Sequence, residues 1–242
     1  MNLIEANESL HTNGYCDFDL KDFSEESYNA FLELKYKVSD DNYLEKFTIV
    51  RFDAHDENHN SYRINEGFET FKNAIIEKNN LIKKYDENKI AQIWLQSEMI
   101  PFSDNSIIKQ TYYQIIKHFY NQTEDDVNCA LQWTCYSEGC YLKDHNDGQG
   151  NEYQNTCAVL IYLNEEWEED WGGSLILRNT KNTHSIDKET KYKIAPKFGK
   201  VAIIDLQTFD TSHAVEKIIG EHNRCTLLAF ATQRKKRKDK LF

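Results

Sequence analysis

The chain has 242 residues, 40% of them apolar and 13% aromatic, which is enough for a sizeable core and excludes a chain disordered throughout. Nine glycines and two prolines exclude collagen-like or proline-rich low complexity. A net charge of −11 argues against nucleic acid or an anionic membrane as partner, and the longest apolar run, 158–163, falls far short of the roughly 20 residues of a membrane span. The opening Met1-Asn2-Leu3-Ile4-Glu5 lacks the basic and apolar regions of a secretory leader. Six cysteines are too sparse for a disulfide scaffold. Reduced thiols and a cytoplasmic location are therefore expected, with a nuclear location left open by the basic run at the end of the chain.

In chain order, the first 127 residues read mainly as helix. Asp22-Phe23-Ser24-Glu25 offers a capping box ahead of a helix to about Lys37. Phe68, Phe71, Ile75, Ile82 and Tyr85 repeat at helical spacing over 68–85. Ile107, Ile108, Ile115, Ile116 and Phe119 predict a third helix, and a strand at 90–95 separates the two. The polar stretch 53–65 reads as a loop. From residue 128 the period changes. Short runs rich in Val, Ile, Thr and aromatics predict eight strands, at 129–136, 141–145, 156–163, 173–178, 191–195, 201–206, 213–216 and 224–232. The expected fold is mainly β with α: a double-stranded β-helix, or jelly roll, with N-terminal helices packed on one sheet. No internal repeat breaks the chain. One domain is expected over 1–233, with a helical part at 1–127, a jelly-roll core at 128–233 and a basic tail at 234–242.

Within the predicted strands lies a constellation suited to a metal. His145-Asn146-Asp147 follows the second strand, and His213 stands in a later one. Two imidazoles and one carboxylate can occupy one face of an octahedral ion, the donor set of non-haem Fe(II) oxygenases. In extended chain, residues 145 and 147 project to the same side, so both can meet one ion. Arg224 lies 11 residues after His213, and a hairpin between the two strands would bring its guanidinium into the same barrel. A planar guanidinium can pair both oxygens of a carboxylate, and the apolar setting Cys225-Thr226-Leu227-Leu228-Ala229-Phe230 argues against a surface arginine. Alternation also puts Gln132, Thr134 and Tyr136 on one face, Ala158, Leu160 and Tyr162 on one face, and Thr226 and Leu228 with Arg224, all as candidate pocket walls.

The segment from Trp133 to Phe230 resembles the Fe(II)/2-oxoglutarate-dependent dioxygenases, in particular the prolyl-4-hydroxylase-like branch. The resemblance is carried by Tyr136-x-x-Gly139 running into His145-x-Asp147, by Tyr162-Leu163-Asn164, by Trp167 and Trp171-Gly172-Gly173-Ser174-Leu175, by Pro196-Lys197-Phe198-Gly199 and by Ser212-His213-Ala214-Val215. It implies that His145, Asp147 and His213 bind Fe(II) and that Arg224 pairs with the C5 carboxylate of 2-oxoglutarate. Tyr162 then falls where a hydroxyl assists that carboxylate, and Tyr136 where a tyrosine lines the co-substrate pocket. It further implies O2 as co-substrate, ascorbate as a candidate reductant, succinate and CO2 as products, and hydroxylation of an unactivated C–H bond. The carboxylate at 147 favours hydroxylation, because related halogenases carry a small residue there. A prolyl residue of a protein or peptide is the expected target. The alternatives are a free amino acid or other small molecule and, in another class, a non-catalytic jelly-roll binding module.

Two departures from the family pattern stand out. The interval between His213 and Arg224 is long enough to bulge at 216–223, and Asp205 sits where an apolar wall residue is usual, so alternation is expected to turn it outward. Other signals read plainly. His55 and His59 are expected in a solvated loop, Cys129, Cys135 and Cys140 as buried thiols rather than zinc ligands, the basic tail as solvated, and Asn121-Gln122-Thr123 as a chance glycosylation match. The loops 148–155 and 181–189 are expected to select substrate.

Overall fold

The structure, a computed structural model, describes residues 1–38, 44–55, 61–103, 105–147, 155–179, 192–209 and 211–233. The basic tail, the stretch between His55 and His59 and most of both substrate-selecting loops lie outside the described residues.

The N-terminal part interleaves helix and strand rather than being mainly helical. Helix α1 (Leu3–Asn13) begins with a capping box between Asn2 and Glu5 and ends at Gly14 with φ 80°. Strand β1 (Tyr15–Asp19) leads through a short turn, α2 (Leu20–Phe23), into α3 (Glu25–Val38). The capping box expected at 22–25 does not form as such. The Ser24 hydroxyl caps α3 by accepting from the Ser27 N–H at 3.2 Å, and Asp22 is already inside α2. The 53–65 stretch is mostly a hairpin: β2 (Ile49–His55) pairs with β3 (Ser61–Gly67) and also with β4 (Ile90–Met99). Its polar composition hid the strands because its polar side chains line a cavity. Helices α4 (Phe71–Lys84) and α5 (Ile107–Tyr120) are capped by Thr70 and Ser106 and match the two later helical stripes.

The eight strands after residue 126 form where their pattern places them. They are β5 (Val127–Tyr136), β6 (Tyr141–His145), β7 (Asn155–Tyr162), β8 (Leu175–Asn179), β9 (Tyr192–Ile194), β10 (Lys200–Asp205), β11 (Thr211–Val215) and β12 (Arg224–Gln233). Strands β1-β10-β7-β12-β5 make a major antiparallel sheet, and β6-β11-β8-β9 a minor one. β4 closes them at one end, pairing at Leu95 and Gln96 with β5 and at Gln92 and Ile93 with β6. The result is the expected jelly roll with N-terminal helices.

The major sheet is buried on both faces, which explains the near-continuous apolar run of β7. Leu131, Trp133, Cys135, Val159, Ile161, Leu227 and Ala229 face the helices and are at most 3% exposed. The Tyr112 hydroxyl of α5 donates to the Leu227 carbonyl at 2.7 Å, tying helix to sheet. The alternate residues, including Gln132, Thr134, Ala158, Leu160, Leu228 and Phe230, line an internal cavity of about 820 Å³. Asp205 turns away from that cavity, as alternation implies, yet it is buried rather than solvated. Its carboxylate accepts from the N–H groups of Gln207, Thr208 and Phe209 and so caps the turn after β10.

Candidate active site

The cavity sits between the sheets, and each sheet contributes a different chemistry. On the minor sheet, β11 pairs with β6 so that His213 stands directly opposite His145. Their ring centroids are 4.2 Å apart. Asp147 lies just beyond β6, in a bend rather than in the strand itself, and still turns to the same side. Its two carboxylate oxygens lie 3.1 Å from His145 Nε2 and 3.5 Å from His213 Nε2. Among the described residues, these three form a cluster whose ligand atoms all lie within 4.8 Å of one another. Asp144, the nearby carboxylate, is engaged elsewhere, with Arg178 and with the Ser212 hydroxyl. Arg178 therefore faces a different partner from any anion in the cavity.

His213 and Asp147 are held in the forms a cation needs. Burial, with His145 adding to it, pushes His213 down to about 4, leaving its imidazole neutral. Burial also opposes the charged form of His145, but the Asp147 carboxylate overrides it and raises that pKa. For Asp147 burial is likewise outweighed, by the His145 hydrogen bond and by electrostatic attraction to the two imidazoles, and its pKa is lowered. His145 Nδ1 lies 3.1 Å from the Lys143 carbonyl, which favours the tautomer with the Nε2 lone pair free for a ligand bond.

Arg224, on the major sheet, is 1% exposed and has no carboxylate partner among the described residues. Its Nη1 donates to Thr226 Oγ1 at 3.3 Å and its Nη2 to the Tyr162 hydroxyl at 3.1 Å, while Nε is buried without a partner. The guanidinium lies between the Tyr136 and Tyr162 rings, 4.9 Å from each centroid. A guanidinium only donates, so Tyr162 accepts from it and keeps its own O–H to give to an anion. Thr134 and Thr226 share a 2.9 Å hydrogen bond beneath it. The Asn164 side chain holds the start of β12, accepting from the Cys225 N–H and donating to the Asn223 carbonyl. A buried, uncompensated cation facing a cavity costs free energy unless an anion meets it.

The placement of Arg224 corrects one expectation. β11 and β12 do not form a hairpin: β12 pairs with β5 and β7, β11 with β6 and β8. The 216–223 connection crosses from one sheet to the other. Arg224 thus faces the triad across the barrel instead of lying beside His213.

The sequence profile of the 2OG-Fe(II) oxygenase superfamily matches residues 131–230, a span that holds the whole triad and Arg224. Residues 131–230 are a segment of the 2OG-Fe(II) oxygenase superfamily. The oxygenase's cofactors are accordingly Fe(II) and 2-oxoglutarate, and the donor set fits them: two imidazoles and a carboxylate for the ion, an orphaned guanidinium for a dicarboxylate. No curated protein sequence matches the chain. Solved structures share the fold at low identity. A prolyl-4-hydroxylase from Pseudomonas putida has a TM-score of 0.58 at 13% identity, over 97% of this chain and 100% of that one. A prolyl hydroxylase from Trichoplax adhaerens, solved with a peptide fragment of hypoxia inducible factor, has a TM-score of 0.58 at 14% identity, over 94% and 87%. EvdO2 from Micromonospora carbonacea, solved with 2-oxoglutarate, has a TM-score of 0.53 at 10% identity, over 95% and 90%.

The cavity of this oxygenase also has walls that the sequence reading missed. Arg51, Asp53, Arg63, Asn65, Gln92, Trp94 and Gln96 line it from β2, β3 and β4. Trp94 stacks on Tyr136, with centroids 5.7 Å apart and planes 18° apart. The available signal was alternation within 49–55 and 61–67, obscured by the polar side chains. No helix among the described residues is long and apolar enough to cross a membrane.

Proposed function

We propose that this oxygenase hydroxylates an unactivated C–H bond, with a prolyl residue of a protein or peptide as the target. His145, Asp147 and His213 hold Fe(II) in this reading. Arg224 pairs with the C5 carboxylate of 2-oxoglutarate, Tyr162 donates its hydroxyl to the same carboxylate, and Tyr136 walls the co-substrate. When bound, iron and 2-oxoglutarate with O2 supply oxidative decarboxylation to succinate and CO2 and deliver the second oxygen atom to the substrate carbon. The chain's own part is positional. Two sheets fix a cation-binding triad and a carboxylate anchor on opposite walls, and the apolar residues Leu160, Leu175, Val215 and Leu228 limit water between them. Ascorbate enters as an added reductant with no assigned site.

The observation that carries the reading is the fully buried guanidinium of Arg224, which meets only neutral hydroxyls among the described residues, in the cavity that holds the triad. The prolyl target rests on likeness to distant prolyl hydroxylases alone, while the Asp147 carboxylate supports hydroxylation. A free amino acid is the second reading, favoured by a cavity of about 820 Å³, within the range of small-molecule sites. The test is iron-dependent release of succinate from 2-oxoglutarate, coupled to a product heavier by one oxygen atom. Absence of both with iron-loaded protein refutes the proposal.

A further inference from the structure

Arg51 lies in one cross-strand row with the co-substrate anchor. On β2 it stands opposite Asn65 of β3 and Trp94 of β4. Trp94 stacks on Tyr136 of β5, which stands opposite Arg224 of β12. Three strand spacings separate Arg51 from Arg224, about 14 Å, and the Trp94 and Tyr136 rings stand between them. The two guanidinium groups therefore do not share a carboxylate. Arg51 lines the cavity from the side that the co-substrate anchor leaves free.

The charges around Arg51 are already matched, while Arg51 is not. Arg63 pairs with Asp53 at 3.1 Å, Asp144 with Arg178, and Lys143 donates to the carbonyls of Glu87 and Asn88. The Arg51 side chain has no hydrogen-bond or ion-pair partner among the described residues. It is a half-buried guanidinium left open in the cavity of a chain whose net charge is −11. Its neighbours Asn65, Gln92 and Gln96 add amide donors and acceptors to the same wall. An arginine so placed suits a carboxylate, which it can hold through two parallel N–H bonds.

We propose that Arg51 is the specificity-determining residue of this cavity and that the substrate carries a carboxylate close to the carbon that is hydroxylated. The carboxylate comes either from an acidic side chain beside the target prolyl residue of a peptide or from the α-carboxylate of a free amino acid. The inference rests on the cavity being the substrate site of a hydroxylase.

Two probe pairs separate the sources. One is an acetylated and amidated peptide with a central proline flanked by Glu, against the same peptide flanked by Gln. The other is free L-proline against its carboxamide. Binding is read by calorimetry on protein loaded with Fe(II) and 2-oxoglutarate in the absence of O2, so that no turnover intervenes. The carboxylate-bearing member of one pair is expected to bind about 10- to 150-fold tighter, the range of a charge-assisted hydrogen bond. The preference should vanish in Arg51→Gln and return in part in Arg51→Lys, while 2-oxoglutarate affinity in both variants stays at the wild-type value. A preference in the peptide pair assigns the acidic side chain, and one in the proline pair assigns the free amino acid. Equal binding within both pairs, no binding of any probe, or a preference retained in Arg51→Gln overturns the inference. Failure of iron-dependent succinate release refutes the hydroxylase reading separately, and the calorimetric comparison is independent of it.

Discussion

The two sheets solve opposite problems. The minor sheet presents the triad near the cavity mouth: the side chains of His145 and Asp147 are 32% and 31% exposed, and Asp147 sits on a bend past the strand end. The major sheet buries Arg224 and Tyr162 to 1% and 0% exposure in two paired central strands beneath the helices. A metal that must admit substrates needs open positions. A carboxylate anchor works best where water does not compete, because the same charge-assisted bonds count for more in a low-dielectric setting. Removing part of either wall should therefore fail in a different way.

The largest effect is expected on the minor sheet. Asp147→Ala or His213→Ala should reduce iron-dependent succinate release to background while the protein stays folded, as read by metal analysis and circular dichroism. Wild-type activity in either variant would place the ion elsewhere. On the major sheet, Arg224→Ala should spare iron loading and raise the 2-oxoglutarate requirement. The loss of a charge-assisted bond worth about 1.5–3 kcal/mol corresponds to about 10- to 150-fold. Arg224→Lys should recover part of it, since the charge is kept but the fork is lost. Equal 2-oxoglutarate titrations for Arg224→Ala and wild type would remove the anchor from this wall.

Gly173 tests how tightly that wall is packed. It has φ 70°, and a Cβ there would lie 2.5 Å from Ile218 Cδ1, 2.8 Å from Trp167 Cζ2 and 3.4 Å from Arg224 Cδ. Gly173→Ala should cost at least about 1–2 kcal/mol from backbone handedness, seen as a lower midpoint in thermal unfolding, with weakened 2-oxoglutarate binding. An unchanged melting curve would show the Trp167–Ile218 shelf to be loose. Tyr162→Phe should be the mildest change. It removes one neutral hydroxyl, about 0.5–1.5 kcal/mol or roughly 2- to 10-fold in 2-oxoglutarate affinity. A larger loss than in Arg224→Ala would make the tyrosine, not the arginine, the principal anchor.

Local pattern alone was sufficient for the strands of the core. The run at 141–145 coincides with β6, and the alternation at 129–136 and 224–232 puts Gln132, Thr134, Tyr136, Arg224 and Leu228 on the cavity wall, because side chains alternate with period two whatever the strand's neighbours are, although Thr226 is buried against Arg224 and does not reach the wall. The helical stripe at 107–119 was equally plain, since α5 buries one face on the major sheet. The motif from His145 to Arg224 carried the chemistry because donor identity is written in residue type. The sequence by itself thus determined the class of fold, the two-histidine, one-carboxylate cluster and the buried arginine. Only the tertiary structure decided how they meet. Strand pairing is non-local, so nothing in the 11-residue interval says that β12 leaves the sheet of β11 and sets Arg224 across the cavity from His213. The same holds for β2 and β3, whose polar faces read as a loop until β2 pairs with both β3 and β4 and brings Arg51 to the cavity wall.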